Sequence, residues 1–441
     1  MPSRRVLITG LSTYWGGRLA EALEGSDELE TIIGVDSRDP TRELERTEFV
    51  RVGTQHSLLR RIVEAAEIDT VVDTRLIVDS VATSAARAHE NNVIGTMNIL
   101  AACGGPNSSV RKLVFKSSAH YYGCHQDDPA FFTEDMERPH PPRTPLERDI
   151  LEAEAAVADF AEKNPDVSVT ILRFANVLGS SVQTSHTALF DLPAVAMVLG
   201  FDPRYQFVHE DDVVGALEHV LNQSLPGVFN VAADGVLALT EVIDLLGKRI
   251  APVLPPWGTG LAAAALRRAG VVISPEMLTQ LRFGRGLDNR LLKATGFRYR
   301  YTTRETVLKL AEHMRLAPIL RGAAAPYRYE REVEEFLRRS PNVRRPGRRP
   351  PERANGHGVL PERTGEAHAA DRGDGSAELG GASAGYEDLE AGELAVLLGS
   401  LETDDLIALR EHERTAHRRP DVLAAIDDAL ARVEAAGPDE P

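Results

Sequence analysis

Cysteine is nearly absent from this chain: Cys103 and Cys124 are the two present in 441 residues. Two thiols cannot build a disulfide framework, which excludes the small stapled secreted scaffolds and fits a reducing compartment. Long apolar runs are missing too. A membrane helix needs about 18 uninterrupted apolar residues, and the most apolar stretch, residues 261–273, is broken by Arg267 and Arg268. The arginines near the start are followed by only a few apolar residues, so no secretory leader is expected. Positive charge is in deficit, with 50 Lys and Arg against 66 Asp and Glu and a formal net charge of -16. Phosphate backbones and acidic membranes would be repelled over most of such a surface. The expectation is a cytoplasmic protein with no nucleic-acid partner and no membrane span, long enough for two or three domains and a large core.

The opening residues carry the strongest positive signal. Val6, Leu7, Ile8 and Thr9 read as an apolar strand, Gly10 to Gly17 as a glycine-punctuated turn, and Arg18 to Leu23 as a helix. Such a turn presents free backbone N–H groups at a helix N-terminus, where a pyrophosphate can sit. A second strand, residues 31–35, ends in Asp36, about 20 residues on, where a carboxylate accepts from ribose hydroxyls. Ser37 and Arg38 follow, and Arg38 leaves open the 2'-phosphate form of the cofactor. The spacing Gly10-x-x-Thr13-x-x-Gly16 puts a threonine where the fingerprint has its middle glycine, a side chain at the closest approach of backbone and cofactor. An NAD or NADP site is therefore read beside its alternative, a tight turn that binds nothing.

Short apolar strands alternate with helical patterns up to about Leu246, which predicts right-handed parallel crossovers and an α/β doubly wound sheet of Rossmann type. Residues 1–250 are assigned to this NAD(P)-binding domain, with 168–182 and 201–215 contributing to the substrate side, and 251–336 to a smaller substrate-side lobe. Residues 337–385 begin with a basic, proline-rich run and turn rich in Gly, Ala and acids, too poor in apolar surface to offset chain entropy, so a disordered linker is expected. Residues 386–436 recover leucines at helical spacing, with Thr403 and Pro420 placed to start helices. That helical tail is expected either to stand as a stabilising knob or to dock on a protein partner.

Further motifs follow in order. Residues 92–100 read NVIGTMNIL, 114–123 VFKSSAHYYG, 172–179 LRFANVLG and 207–213 FVHEDDV. Together with the opening turn they resemble the extended short-chain dehydrogenase/reductase family, the NAD-dependent epimerases and dehydratases of nucleotide sugars such as UDP-glucose 4-epimerase, over residues 5–310. The resemblance implies a nicotinamide cofactor, a nucleotide-sugar ligand and a homodimer formed through the helix at 146–160, whose Ala153, Ala155, Ala156 and Ala158 allow close packing. It also implies a chemistry in which a tyrosine is the acid/base, a lysine four residues later lowers its pKa and holds the ribose, and a serine orients the carbonyl. Ser118 stands at the serine position. Aligned on Pro145 and Glu154, the tyrosine and lysine positions are Leu146 and Ile150, and neither exchanges a proton.

Other positions depart with them. The pair that contacts adenine appears as Gly53-Thr54, and the small turn after the fourth strand as Asp73-Thr74-Arg75-Leu76, where the arginine either pairs with a pyrophosphate or blocks it. The sugar-nucleotide arginine falls at Tyr205, with Arg204 one residue early and so on the other strand face. The cofactor set is Gly10, Thr13, Tyr14, Trp15, Gly16, Asp36, Ser37, Arg38, Thr74, Arg75 and Asn92; the substrate set is Ser118, Asn176 and Arg204. Ser118 is a catalytic remnant at most. His120, Cys124, His125, Asp127 and Asp128 have a ligand-like spacing, but no second cluster accompanies them and no metal is expected. Three readings remain: a dinucleotide or nucleotide-sugar sensor with an impaired relay, an active epimerase, dehydratase or reductase using Ser118 with Tyr121 or Tyr122, and a cofactor-free scaffold.

Overall fold

The computed structural model describes residues 3–320 apart from 54, 80–82, 106–107 and 255–273, together with a few residues between 410 and 431. The linker at 337–385, most of the tail at 386–436 and much of the second lobe thus lie outside the described residues, as do Thr54 and the apolar stretch 261–273. No helix among the described residues is long and apolar enough to cross a membrane.

The strands are β1 (Arg5–Thr9), β2 (Thr31–Asp36), β3 (Thr47–Arg51), β4 (Thr70–Asp73), β5 (Lys112–Ser118), β6 (Ser168–Phe174), β7 (Asn176–Leu178), β8 (Ala194–Val198), β9 (Arg204–Tyr205), β10 (Phe207–His209) and β11 (Gly227–Val231), followed by strands at Leu237–Ala238 and Gly284–Arg285, which flank β9, and at Arg249–Leu254, which pairs with β8. Seven of them form one all-parallel sheet in the order β11-β6-β5-β4-β1-β2-β3. The expected doubly wound α/β sheet is therefore present. Strand order reverses where β1 lies between β4 and β2, so the crevice at the carboxyl ends of β1 and β4 is the position where open α/β sheets bind ligands.

Helices cover both faces: α1 (Tyr14–Glu24), α2 (His56–Ala65), α3 (Ala85–His89), α4 (Gly95–Cys103), α5 (Pro145–Lys163), α6 (Ser185–Asp191), α7 (Glu210–Asn222) and α8 (Leu239–Leu245). Side chains alternate across a strand, and the cores divide accordingly. Leu113 and Phe115 of β5 pack with Leu146, Ile150, Ala153 and Val157 of α5. Val114 packs instead with Leu19 of α1 and Val213 and Leu217 of α7. Even-numbered residues of β5, Lys116 and Ser118 among them, thus face α1 and α7. A third core joins Leu178, Phe190, Tyr205, Phe207, Leu239, Met277 and Leu281 into the second lobe.

Candidate dinucleotide and substrate site

The glycine turn closes tightly. Gly10 has φ +84, where a side chain is strained, and a Cβ on Gly16 would fall 2.1 Å from the Gly10 carbonyl oxygen. Thr13 is the N-cap of α1. Its hydroxyl donates to Gly10 O at 2.7 Å and accepts from Gly16 N at 3.1 Å, so the side chain that replaces a glycine is folded into the turn. With Gly16 N on this hydroxyl and Gly17 N on Thr13 O, the N–H groups of Tyr14 and Trp15 open the helix without an intrahelical acceptor, the arrangement that suits a phosphate. At the end of β2, Asp36 accepts from Ser12 N at 3.0 Å, Ser12 Oγ at 2.6 Å and Ser37 N at 2.6 Å. The carboxylate is thereby fixed at the mouth of the turn, beside an exposed Arg38.

Thr74 and Arg75 follow β4. The Thr74 hydroxyl donates to Thr9 O at 2.8 Å. Arg75 neither points at the phosphate position nor stands clear of it. Its Nε and Nη2 fork onto the buried Asp73 carboxylate at 3.1 Å each, and a Cβ on Gly10 would meet its Cγ at 2.5 Å. The guanidinium lies against Gly95, where a Cβ would meet Nη1 at 2.5 Å. Asn92 is fully buried and staples the loop after β4, accepting from Ile77 N at 2.8 Å and donating to Ile77 O at 2.9 Å. Its amide is engaged with the chain, in a π-helical turn at Glu90–Ile94.

Beside the turn a cleft of about 160 Å³ runs between the sheet and the second lobe. Tyr14, Trp15, Lys116, Ser118, Phe174 and Asn176 line one side, and His186, Glu276 and Gln280 another. The Ser118 hydroxyl accepts from His120 N at 3.3 Å, capping a 3-10 turn at Ala119–Tyr122. His186 Nε2 and Gln280 Oε1 are buried without a hydrogen-bond partner among the described residues, and buried polar atoms left open in this way mark a place for a ligand or water. Burial and the nearby Arg285 push the His186 imidazole down to about 3, so it is neutral. Burial, with Arg285, His186 and Arg138, pushes His120 well below its ordinary value.

The relay positions lie away from this cleft. Leu146 is 3% exposed and Ile150 0%, both in the core between α5 and the sheet. Among the described phenols near the cleft, Tyr122 and Tyr14 are hydrogen-bonded, Tyr121 has its ring under a guanidinium, and the buried Tyr205 hydroxyl has no partner among the described residues. Tyr122 donates to Asn230 Oδ1 at 2.9 Å, accepts from Arg173 Nη1 at 2.8 Å and stacks on Phe132; burial raises its pKa. Tyr121 lies 3.4 Å beneath the Arg173 guanidinium. Tyr14 donates to the Glu210 carboxylate and accepts from Arg18 Nη1 at 3.1 Å, and burial followed by Glu210 raises its pKa. Glu154, which anchored the alignment, forms a buried pair with Arg173 at 2.7 Å.

Arg204 needs correcting as a substrate contact. It is exposed and absent from the cleft lining, because alternation along β9 sends its neighbour Tyr205 into the core instead. The guanidinium that the second lobe brings close is Arg285, 8% exposed, whose Nη1 donates to Gly123 O at 2.7 Å. Neither Arg285 nor the open His186 and Gln280 was singled out from the sequence. They come from elements far along the chain, and only the charge of Lys116 within an apolar strand was a local signal. Among the ligand-like residues, His125, Asp127 and His140 bring their donor atoms within 4.8 Å of one another, while Cys124 Sγ donates to Gly284 O at 2.8 Å.

The model of the NAD dependent epimerase/dehydratase family matches residues 6–232, just over half of the chain. An uncharacterized protein of Mycobacterium tuberculosis is 33% identical over 323 residues, 71% of this chain and 85% of its own. UDP-glucose 4-epimerase of Thermotoga maritima, solved with UDP-glucose, superposes with a TM-score of 0.55 at 20% identity, covering 71% of this chain and 99% of that one. UDP-glucuronic acid 4-epimerase of Bacillus cereus, solved with NAD, gives a TM-score of 0.54 at 16% identity over 71% and 99%. At those identities the likeness shows the fold. With the glycine turn, the switch-point crevice and the matched domain in agreement, this chain belongs to the NAD-dependent epimerase/dehydratase family.

Proposed function

We propose that this chain binds a nicotinamide dinucleotide across its glycine turn and a nucleotide sugar in the adjoining cleft, without the hydride relay of its family, and so senses these ligands rather than turning them over. The observation that carries the reading is the burial of Leu146 and Ile150 in the α5 core, with Tyr14 and Tyr122 both engaged in hydrogen bonds. A dinucleotide fits the chain's own groups: the Tyr14 and Trp15 N–H groups would hold a phosphate and Asp36 would accept from a ribose. When bound, it supplies a hydride acceptor. Among the described residues that line the cleft the one phenol is Tyr14, and it is engaged with Glu210 and Arg18. Pairing of two copies through α5, where Ala155 and Ala158 are exposed, belongs to the same proposal, as does a cytoplasmic location.

Calorimetry with NAD(H) and NADP(H) tests binding, with Gly16→Trp as the blocked control. Micromolar affinity lost in that variant, with UDP-glucose recovered unconverted after incubation with the NAD-loaded protein, is the expected result. Turnover would restore the enzymatic reading. No binding at all would favour the scaffold, for which the Arg75 stem over Gly10 and its fork on Asp73 speak.

A further inference from the structure

Lys116 lies on the face of β5 that looks toward α1 and α7, 3% exposed, and lines the cleft. Its ammonium is 5.1 Å from the centre of the Trp15 ring and 5.3 Å from that of Phe174. No hydrogen-bond acceptor or ion-pair partner reaches it among the described residues. The other buried cations of the sheet are served differently: Lys112 donates to Leu221 O at 2.6 Å and Arg173 is paired with Glu154. A buried charge without a counter-charge is costly, and two aromatic faces offset only part of that cost. Burial alone lowers the ammonium to about 8, with no carboxylate opposing it.

Polar groups surround it. His186 Nε2 and Gln280 Oε1 have no partner among the described residues, and Ser118 and Asn176 add a hydroxyl and an amide. Asp79 and Glu276 also line the cleft, Asp79 accepting from Ser185 Oγ at 2.5 Å. Both histidines are held neutral and Tyr14 is pushed up. The Tyr14 and Trp15 N–H groups at the start of α1 would take the phosphates of a dinucleotide, which leaves Lys116 for a second anionic group. A cleft of about 160 Å³ takes one ring of such a ligand.

We propose that Lys116 captures a carboxylate carried on the sugar, so that the cleft selects an acidic sugar nucleotide over a neutral one. This rests on the nucleotide-sugar reading above. Binding of the anion holds the proton on the amine: affinity is greatest below the free amine's titration, falls by about tenfold per pH unit above it, and is accompanied by proton uptake.

Calorimetry on the full chain, with UDP-glucuronate and UDP-glucose over about pH 7 to 9.5, tests this. The wild type is expected to prefer UDP-glucuronate by roughly tenfold or more at pH 7, the preference shrinking with rising pH. In Lys116→Met the two nucleotides bind alike, and the ligand-free variant melts at a higher temperature because the uncompensated charge is gone. Equal affinities in the wild type, a preference that survives Lys116→Met, or one that stays flat across the pH series each overturn the proposal; the pH series decides alone should the variant fail to fold. If neither nucleotide gives heat, the nucleotide-sugar reading falls first and this inference with it.

Discussion

Thr13 shows how one side chain can replace a fingerprint glycine without closing the turn. Its hydroxyl bridges Gly10 O and Gly16 N, so Thr13→Ala is expected to cost about 1 kcal/mol, whereas Thr13→Gly costs a few tenths. Urea denaturation of both variants separates the two, and equal losses would show that the cap contributes nothing. Asp211 at the start of α7 supports a second prediction. Burial opposes its charge, but the adjacent His209 imidazole and the ion pair with Arg18 at 2.8 Å outweigh it and hold the carboxyl well below the usual range. A depressed folded-state pKa contributes stability above the unfolded value, about 3.9, and that stability is lost as pH falls below it. Acid denaturation should therefore be shallower in Asp211→Asn than in the wild type between about pH 4 and 2, and parallel curves would refute the assignment.

Helix α5 keeps the frame that the resemblance implies, with aliphatic residues, Leu146 and Ile150, where it implies the relay. Thr144 still caps it, accepting from Glu147 N at 3.2 Å, Pro145 opens it, and Glu154 reaches Ser117 and Arg173 across the sheet. What changed is the face at Leu146 and Ile150, now continuous with the Leu113 and Phe115 core. Reinstating tyrosine and lysine in Leu146→Tyr/Ile150→Lys puts a cation at a site that is 0% exposed. A loss of about 3 kcal/mol or more is expected in denaturant melts, with no nicotinamide reduction gained; a stable double variant that reduces NAD would mean that only the two side chains had been missing. The strands at 31–36, 70–73, 112–118 and 168–174 were legible because buried parallel strands read as continuous apolar runs. The cap at Thr13 was equally local, a threonine just before a helical run, although it read as an obstruction. The cleft was not legible. Its polar atoms come from β5, α6 and the helix Pro275–Phe283, and only the packed second lobe brings His186 and Gln280 to Lys116. The opposite faces of Arg204 and Tyr205 were legible from strand alternation, and the structure has Tyr205 buried and Arg204 exposed; that the outward face of so short a strand lies off the cleft was not.

At the scale of the whole molecule, Glu210 links the glycine turn to the loop that leads into the cleft wall. It is 2% exposed at the start of α7. One carboxylate oxygen accepts from the Tyr14 hydroxyl, and the other from Ser180 N at 3.0 Å and Ser181 N at 3.2 Å. Gly179 makes room for it, since a Cβ there would lie 2.2 Å from the Glu210 carboxyl carbon. Tyr14 lies beside the phosphate position, and residues 180 and 181 lead into the cleft wall at Val182, Gln183 and Thr184. A ligand that orders the turn is expected to act through Glu210 on the loop at 180–184. Glu210→Ala strands two backbone N–H groups and a phenol, a loss of about 2 kcal/mol or more. Glu210→Gln keeps the volume and tests the coupling itself: in hydrogen exchange, NAD should slow amides at 180–184 in the wild type and leave them unchanged in Glu210→Gln. Equal slowing in both proteins would mean that the two sites communicate by another route, and no slowing in either would mean that the turn and the cleft bind independently.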